Sequence, residues 1–268
     1  MFDVVIRNGL VVDGTGSPGR LADVAVRDGR IVAIGEVPDK GDREIDAEGL
    51  VVAPGFVDVH THFDAQVFWD TTLSPSPLHG VTTVISGNCG FTIAPLEPEH
   101  GDYMMRMLAR VEGMPLASLQ QGVPWNWRTF GEYLDTIDGS LMPNAGFLVG
   151  HSALRRTVMG ERSVGEFASD DELRAMKELL GESIAAGGLG FSSSWAKTHN
   201  DADGEAVPSR HASETELVEL CSVLRDTSAV ALEFIPTIER FDDEVYQLLT
   251  DMSVAADRPL NWNVIFAN

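Results

Sequence analysis

The chain has 268 residues, 44% of them apolar, with 19 Lys+Arg against 41 Asp+Glu and a formal net charge of −22. That length fits one large domain or two small ones, with enough apolar residues for a substantial core. The acidic balance excludes a nucleic-acid binder, which needs cations to displace counterions from phosphate, and it excludes docking on anionic lipid.

No run of about 18 apolar residues occurs, so no transmembrane helix is expected. The first residues lack a basic stretch followed by a long apolar one, so no signal peptide is expected either. The two cysteines, Cys89 and Cys221, make no disulfide framework, which points to a reducing cytoplasm.

Residues 1–55 read as a small β element. Strands are predicted over 3–7, 22–27, 30–35 and 50–53, with Asp28-Gly29 as a hairpin turn, 36–43 as polar linker and Pro54-Gly55 as the stop. From 56 to 268 short apolar strands alternate with helical stretches, the signature of βα units on a parallel sheet. Strands are predicted at 56–60, 81–86, 146–150, 189–193, 230–234 and 260–266, and helices near 99–111, 127–137, 168–186, 213–226 and 241–256. Ser169 with Glu172, and Ser213 with Glu216, have capping-box spacing, and Gly187-Gly188 marks a helix exit. Six strands would complete a doubly wound sheet, whereas a (β/α)8 barrel needs two more βα units. The polar segments 64–79 and 195–211 follow strands, where barrel active-site loops lie.

The sharpest chemical signal is His60-Thr61-His62, at the end of an apolar strand. Residues two apart on a strand face the same way, so both imidazoles can aim at one metal ion. The second signal is Gly87-Asn88-Cys89-Gly90, directly after the next strand, where a thiolate would suit zinc. Cys221 lies with Leu217, Leu220 and Leu224 on an apolar helix face and reads as core. His151 ends a predicted strand and can touch substrate or serve structure, and Arg155 nearby could grip a carboxylate. Lys197 and His199 lie on a loop that reads as substrate-facing, while His79, His100 and His211 read as surface residues.

Together these motifs resemble the amidohydrolase superfamily, in its D-aminoacylase branch. The resemblance runs through Val5-Ile6-Arg7-Asn8-Gly9, Ala53-Pro54-Gly55-Phe56-Val57-Asp58-Val59-His60-Thr61-His62 and Gly87-Asn88-Cys89-Gly90. It continues in Gly150-His151-Ser152-Ala153-Leu154-Arg155 and Gly188-Leu189-Gly190-Phe191-Ser192-Ser193-Ser194. It implies a distorted (β/α)8 barrel, with about six βα units present over 56–268, and a small N-terminal β-sandwich domain over 1–55. It also implies a metal-dependent hydrolase of a non-peptide C–N amide bond, with one or two Zn²⁺ ions activating water.

On that resemblance His60, His62, Cys89 and Glu233 are the metal ligands and His151 is the catalytic candidate. Arg155, Ser193 and His199 are the candidate substrate-binding residues. Glu233 and Asn263 stand where this branch places histidines, and the aspartate of an eighth strand would lie beyond Asn268, so a fragment is expected. The expected partners are a small-molecule amide such as an N-acyl amino acid, and a second copy or a missing C-terminal half, with no nucleic acid and no membrane. Two competing readings are a non-catalytic scaffold and a metal-free enzyme with Cys89 as nucleophile.

Overall fold

The β-branched run Val4-Val5-Ile6 lies in Phe2–Val11, the central strand of the first compact unit, Met1–Phe56. The computed structural model describes residues 1–263. In this unit β1 (Phe2–Val11), β2 (Arg20–Arg27), β3 (Arg30–Gly35), β4 (Gly41–Asp46) and β5 (Val51–Val52) form one five-stranded sheet. Its path is β3-β2-β1-β4, with β5 beside β1. Val5 pairs with Ala25, and both pack with Val37 in a small core.

Strand β4 corrects part of the expected 36–43 linker. It pairs in parallel with β1 from Phe2↔Gly41 to Arg7↔Asp46. Its sequence GDREID shows no apolar alternation, because its side chains are mostly exposed. Backbone pairing and the Arg7 guanidinium hold it instead: Arg7 donates to Glu44 at 2.6 Å and to Asp23 at 3.0 Å.

The second unit begins at Val57 and carries the helices. Its strands are β6 (Phe56–Asp58), β7 (Val81–Ser86), β8 (Asn144–Phe147), β9 (Val149–Gly150), β10 (Gly190–Ser194), β11 (Ala231–Ile235) and β12 (Leu260–Trp262). They lie in sequence order, β6-β7-β8 in one sheet and β9-β10-β11-β12 in the next. The recorded pairs β7–β8, β9–β10, β10–β11 and β11–β12 are all parallel. Leu148 links the two sheets, its N–H donating to Ser86 O at 2.9 Å. An order without reversal is not that of a doubly wound sheet, which needs a switch point. Of the strand expected over 260–266, Leu260–Trp262 forms β12, and residues 264–266 lie outside the described residues.

The helices are α1 (Gly101–Val111), α2 (Leu116–Gly122), α3 (Phe130–Ile137), α4 (His151–Met159), α5 (Asp170–Ala185), α6 (Glu214–Ser222) and α7 (Asp243–Ala256). The α5 capping box forms, with Ser169 Oγ accepting from Glu172 N–H and the Glu172 carboxylate accepting from Ser169 N–H. Helices α2 and α4 are additions to the sequence reading, and His151 opens α4 rather than ending a strand. Among the described residues no helix is long and apolar enough to cross a membrane.

Candidate metal centre

The chain leaving β6 runs through His60, Thr61 and His62. Thr61 is pinned to β7: its N–H donates to Ile85 O at 3.0 Å and its hydroxyl to the same carbonyl at 2.8 Å. Phe63 N–H donates to the Ser86 hydroxyl at 3.1 Å. With the middle residue fixed, the two flanking imidazoles come together, ring centroids 5.3 Å apart at 72°.

Cys89 sits in the tight turn Asn88–Gly90 that follows β7. Gly87 enters it at φ +83°, and a Cβ there would lie 2.4 Å from Leu148 O, so this position requires glycine. Cys89 itself has φ +58°, a left-handed conformation that costs an L-residue about 1–2 kcal/mol. The turn is over-determined by its neighbours. Asn88 Nδ2 donates to Ile85 O at 3.0 Å, Cys89 N–H to Glu233 Oε2 at 3.0 Å and Gly90 N–H to Ser192 Oγ at 2.7 Å. Gly150 allows this close seat, since a Cβ there would lie 2.7 Å from Gly90 O.

The result is convergence. Cys89 Sγ lies 3.3 Å from His60 Nε2 and 3.7 Å from His62 Nε2, and the three ligand atoms fall within 4.8 Å of one another. Burial lowers the pKa of His60 and, with the neighbouring His60 and His199, takes His62 down to about 3. Both rings are therefore neutral near pH 7, the form that ligates metal. Burial, then Glu233, Glu112 and Asp64, pushes the Cys89 thiol up. That is the opposite of an activated nucleophile, and it speaks against the metal-free reading. Burial also raises Asp64, Glu112 and Glu233 to about 7 each.

This donor set fits a zinc-like ion. Two neutral imidazoles and a thiol converge, and His62 Nδ1 is buried without a hydrogen-bond partner. Burial raises the pKa of the nearby carboxyls, and a divalent cation would lower it again.

Glu233 is not among the converging donors. Its carboxylate accepts from Cys89 N–H, from the Ser192 hydroxyl and from the Asn263 amide. In place of the expected ligand role it braces the cysteine turn, and Asn263 in turn holds Glu233. His199 does reach the site: its charge would bear on His62, its ring packs 4.9 Å from Phe91, and Nδ1 lies 2.8 Å from Ser194 Oγ. Lys197 is exposed and pairs with Glu239 at 3.2 Å.

His151, Arg155 and Ser193 are brought together elsewhere, in a buried network. His151 Nδ1 lies 2.8 Å from Ser193 Oγ, and Nε2 lies 2.8 Å from Glu216 Oε1. Arg155 Nη1 donates to both Glu216 oxygens at 2.6 Å, and Nη2 donates to the carbonyls of Ser163 and Glu166. All three side chains are fully buried. Both terminal nitrogens of Arg155 are engaged and its Nε is buried, so the guanidinium is turned to Glu216 and the neighbouring carbonyls rather than to the site. The structure therefore places His151, Arg155 and Ser193, expected as catalytic and substrate-binding residues, in a buried network with Glu216 and not among the converging donors His60, His62 and Cys89.

The sequence reading also missed Ser192 and Ser194. They alternate with Ser193 on β10, so they face the site while Ser193 faces α4. The Ser-Ser-Ser run hid which pleat mattered. Glu112 and Asp64 were missed as well, and no spacing signal connects Glu112 to the histidine pair. His79 is exposed as expected, whereas His100 and His211 are half-buried.

The profile of the amidohydrolase family matches residues 43–265. A D-aminoacylase from Alcaligenes xylosoxydans xylosoxydans is 36% identical over 225 residues, covering 83% of this chain and 42% of that protein. Among solved structures, a D-aminoacylase with a binuclear metal centre superposes with a TM-score of 0.77 at 33% identity, covering 97% of this chain and 51% of that one. The N-acyl-D-glutamate deacylase of Bordetella bronchiseptica, complexed with zinc and a phosphonate inhibitor, superposes at 0.75 with 29% identity, covering 97% and 50%. The chain thus spans about half the length of the relatives it matches.

Proposed function

Since the chain belongs to the amidohydrolase family, we propose that it forms the metal-binding part of a hydrolase that cleaves a non-peptide C–N amide bond, with an N-acyl amino acid as substrate class. The observation that carries this reading is the convergence of His60, His62 and Cys89 at the outlet of adjacent strands β6 and β7. The same reading takes the unreversed strand order as most of a (β/α)8 barrel and the five-stranded sheet as one layer of a β-sandwich. The two N-acyl-D-amino-acid hydrolases found in comparison support the substrate class.

His60, His62 and Cys89 would hold a zinc ion, which supplies Lewis acidity toward water and an amide oxygen. Glu233 and Ser192 fix the Cys89 turn, and Phe91 and His199 wall the site. Both cysteines are unpaired, and a reducing cytoplasm would keep the Cys89 thiol available as a donor.

The test is zinc per chain by elemental mass spectrometry on the purified protein and on the His60→Ala/His62→Ala variant, with N-acetyl-D-amino acids assayed in parallel. One or two ions in the wild type, lost with amide hydrolysis in a folded variant, is the expected result. A folded wild type free of zinc, or a variant with unchanged turnover, would overturn the reading.

A further inference from the structure

Three carboxyls surround the Cys89 thiol electrostatically: the buried Glu233 and Asp64, and the half-buried Glu112. Two are already engaged. Glu233 takes donors from Cys89, Ser192 and Asn263, and Asp64 Oδ2 accepts from Gly87 N–H at 3.2 Å. Glu112 differs. Its ion-pair neighbour among the described residues is His62, with Oε2 3.5 Å from Nε2, and its side chain is only 17% exposed.

The local backbone aims it there. Glu112 is the C-cap of α1, at φ −105° and ψ −1°, and Gly113 at φ +66° then turns the chain away. A nearly buried carboxylate with no cationic side chain beside it is costly, and the cost vanishes if a cation sits nearby. Charge balance points the same way. A divalent ion held by two neutral imidazoles and one thiolate keeps a net positive charge in a low-dielectric site, and one carboxylate neutralises it. Carboxylate oxygen is an ordinary zinc donor.

We propose that Glu112 is a metal donor of this centre, completing the set begun by His60, His62 and Cys89. The proposal rests on the metal-centre reading above. Glu112 stands beside the three converging donors rather than among them, and its three side-chain torsions supply the reach. The donor comes from the helical excursion between β7 and β8, whereas the other three come from strand outlets.

The experiment uses the purified protein with Glu112→Gln and Glu112→Ala variants, each checked for folding by circular dichroism. Zinc affinity is measured by competition with a chromogenic chelator, and the cobalt-substituted forms are examined by absorption spectroscopy. The expected result is an affinity loss of at least about 10–100-fold, the range seen for lesser outer-shell contacts. The cobalt ligand-field bands should change while the thiolate charge-transfer band remains. Wild-type affinity in either folded variant would overturn the proposal. Weaker affinity with an unchanged cobalt spectrum would also overturn it, because Glu112 would then act as a distant charge. A wild type that binds no zinc would instead bring down the metal-centre reading and this proposal with it.

Discussion

The His151 imidazole has no accessible surface, and a hydroxyl and a carboxylate occupy its two nitrogens. Such a ring acts on stability. Removing Arg155 leaves Glu216 buried beside a ring that burial keeps neutral. Arg155→Ala should therefore cost about 3–5 kcal/mol, seen as a lowered urea midpoint. Its zinc content per folded molecule should stay at the wild-type value.

The pH dependence follows from the same residues. Burial lowers the pKa of His151 against the pull of Glu216, so the native ring refuses a proton that the unfolded chain accepts near pH 6.5. For Glu216, burial alone would raise the pKa, but the bonds to His151 and Arg155 outweigh it and the result is lowered. Glu216 contributes stability above its unfolded pKa, and that contribution disappears as pH falls through its native pKa. Both groups therefore destabilise the fold as pH falls. Between about pH 7 and 5, His151→Gln should reduce the slope of stability against pH by up to one proton, about 1.4 kcal/mol per pH unit. An unchanged slope would show that His151 titrates normally. At this scale the sequence was partly legible. The histidine pair and Cys89 could be read from strand-end spacing, while Arg155 and Ser193 could not be placed without knowing the pleat and the partner Glu216.

Helix α5 announced both its ends, because a Ser-x-x-Glu cap and a Gly-Gly exit are local signals. Ser169→Ala should cost about 1 kcal/mol in thermal or urea unfolding. Helix α4 left no such trace. Seven of its residues, His151 through Arg156 and Met159, are buried, so it lacks the polar face that reveals a helix period. Strand β4 was illegible for the opposite reason, since it buries almost nothing. The close seating of the Cys89 turn against β9 is also an element-scale property. Gly150→Ala would push a methyl into Gly90 O, and the turn must lift. We expect near-normal helical circular dichroism with markedly weaker zinc binding, and retained affinity would show that the seat is not needed.

The strand array of the second unit runs in chain order from β6 to β12. Alternating strand and helix signals made the α/β class readable, but the order could not be read, since it depends on which strands pair. The outer strands carry exposed apolar side chains: Val57 is 56% exposed and Trp262 52%, while Val59, just past β6, is 58% exposed. Among the described residues no strand pairs with the outer side of β6 or β12, and unpaired edges invite pairing. We propose that the 268-residue chain associates, with a second copy or with a complementary segment. Light scattering behind size-exclusion chromatography should report a mass above the monomer, and a monodisperse monomer would refute this.

The excursion that carries α1, α2 and α3 leaves from β7 and returns into β8, and those two strands are paired in parallel from Thr83↔Asn144 to Ser86↔Phe147. Its two ends are thus anchored on neighbours, so the length of its exposed connections can change with little effect on strand register. His60 and His62 leave β6 and Cys89 sits in the turn directly after β7, whereas Glu112 lies further along the excursion, at the end of α1. Redesigning the exit of α1 alone, with the Asn88–Gly90 turn and the core side chains Met104, Met107 and Leu108 kept, would retune metal affinity and access without rebuilding the sheet.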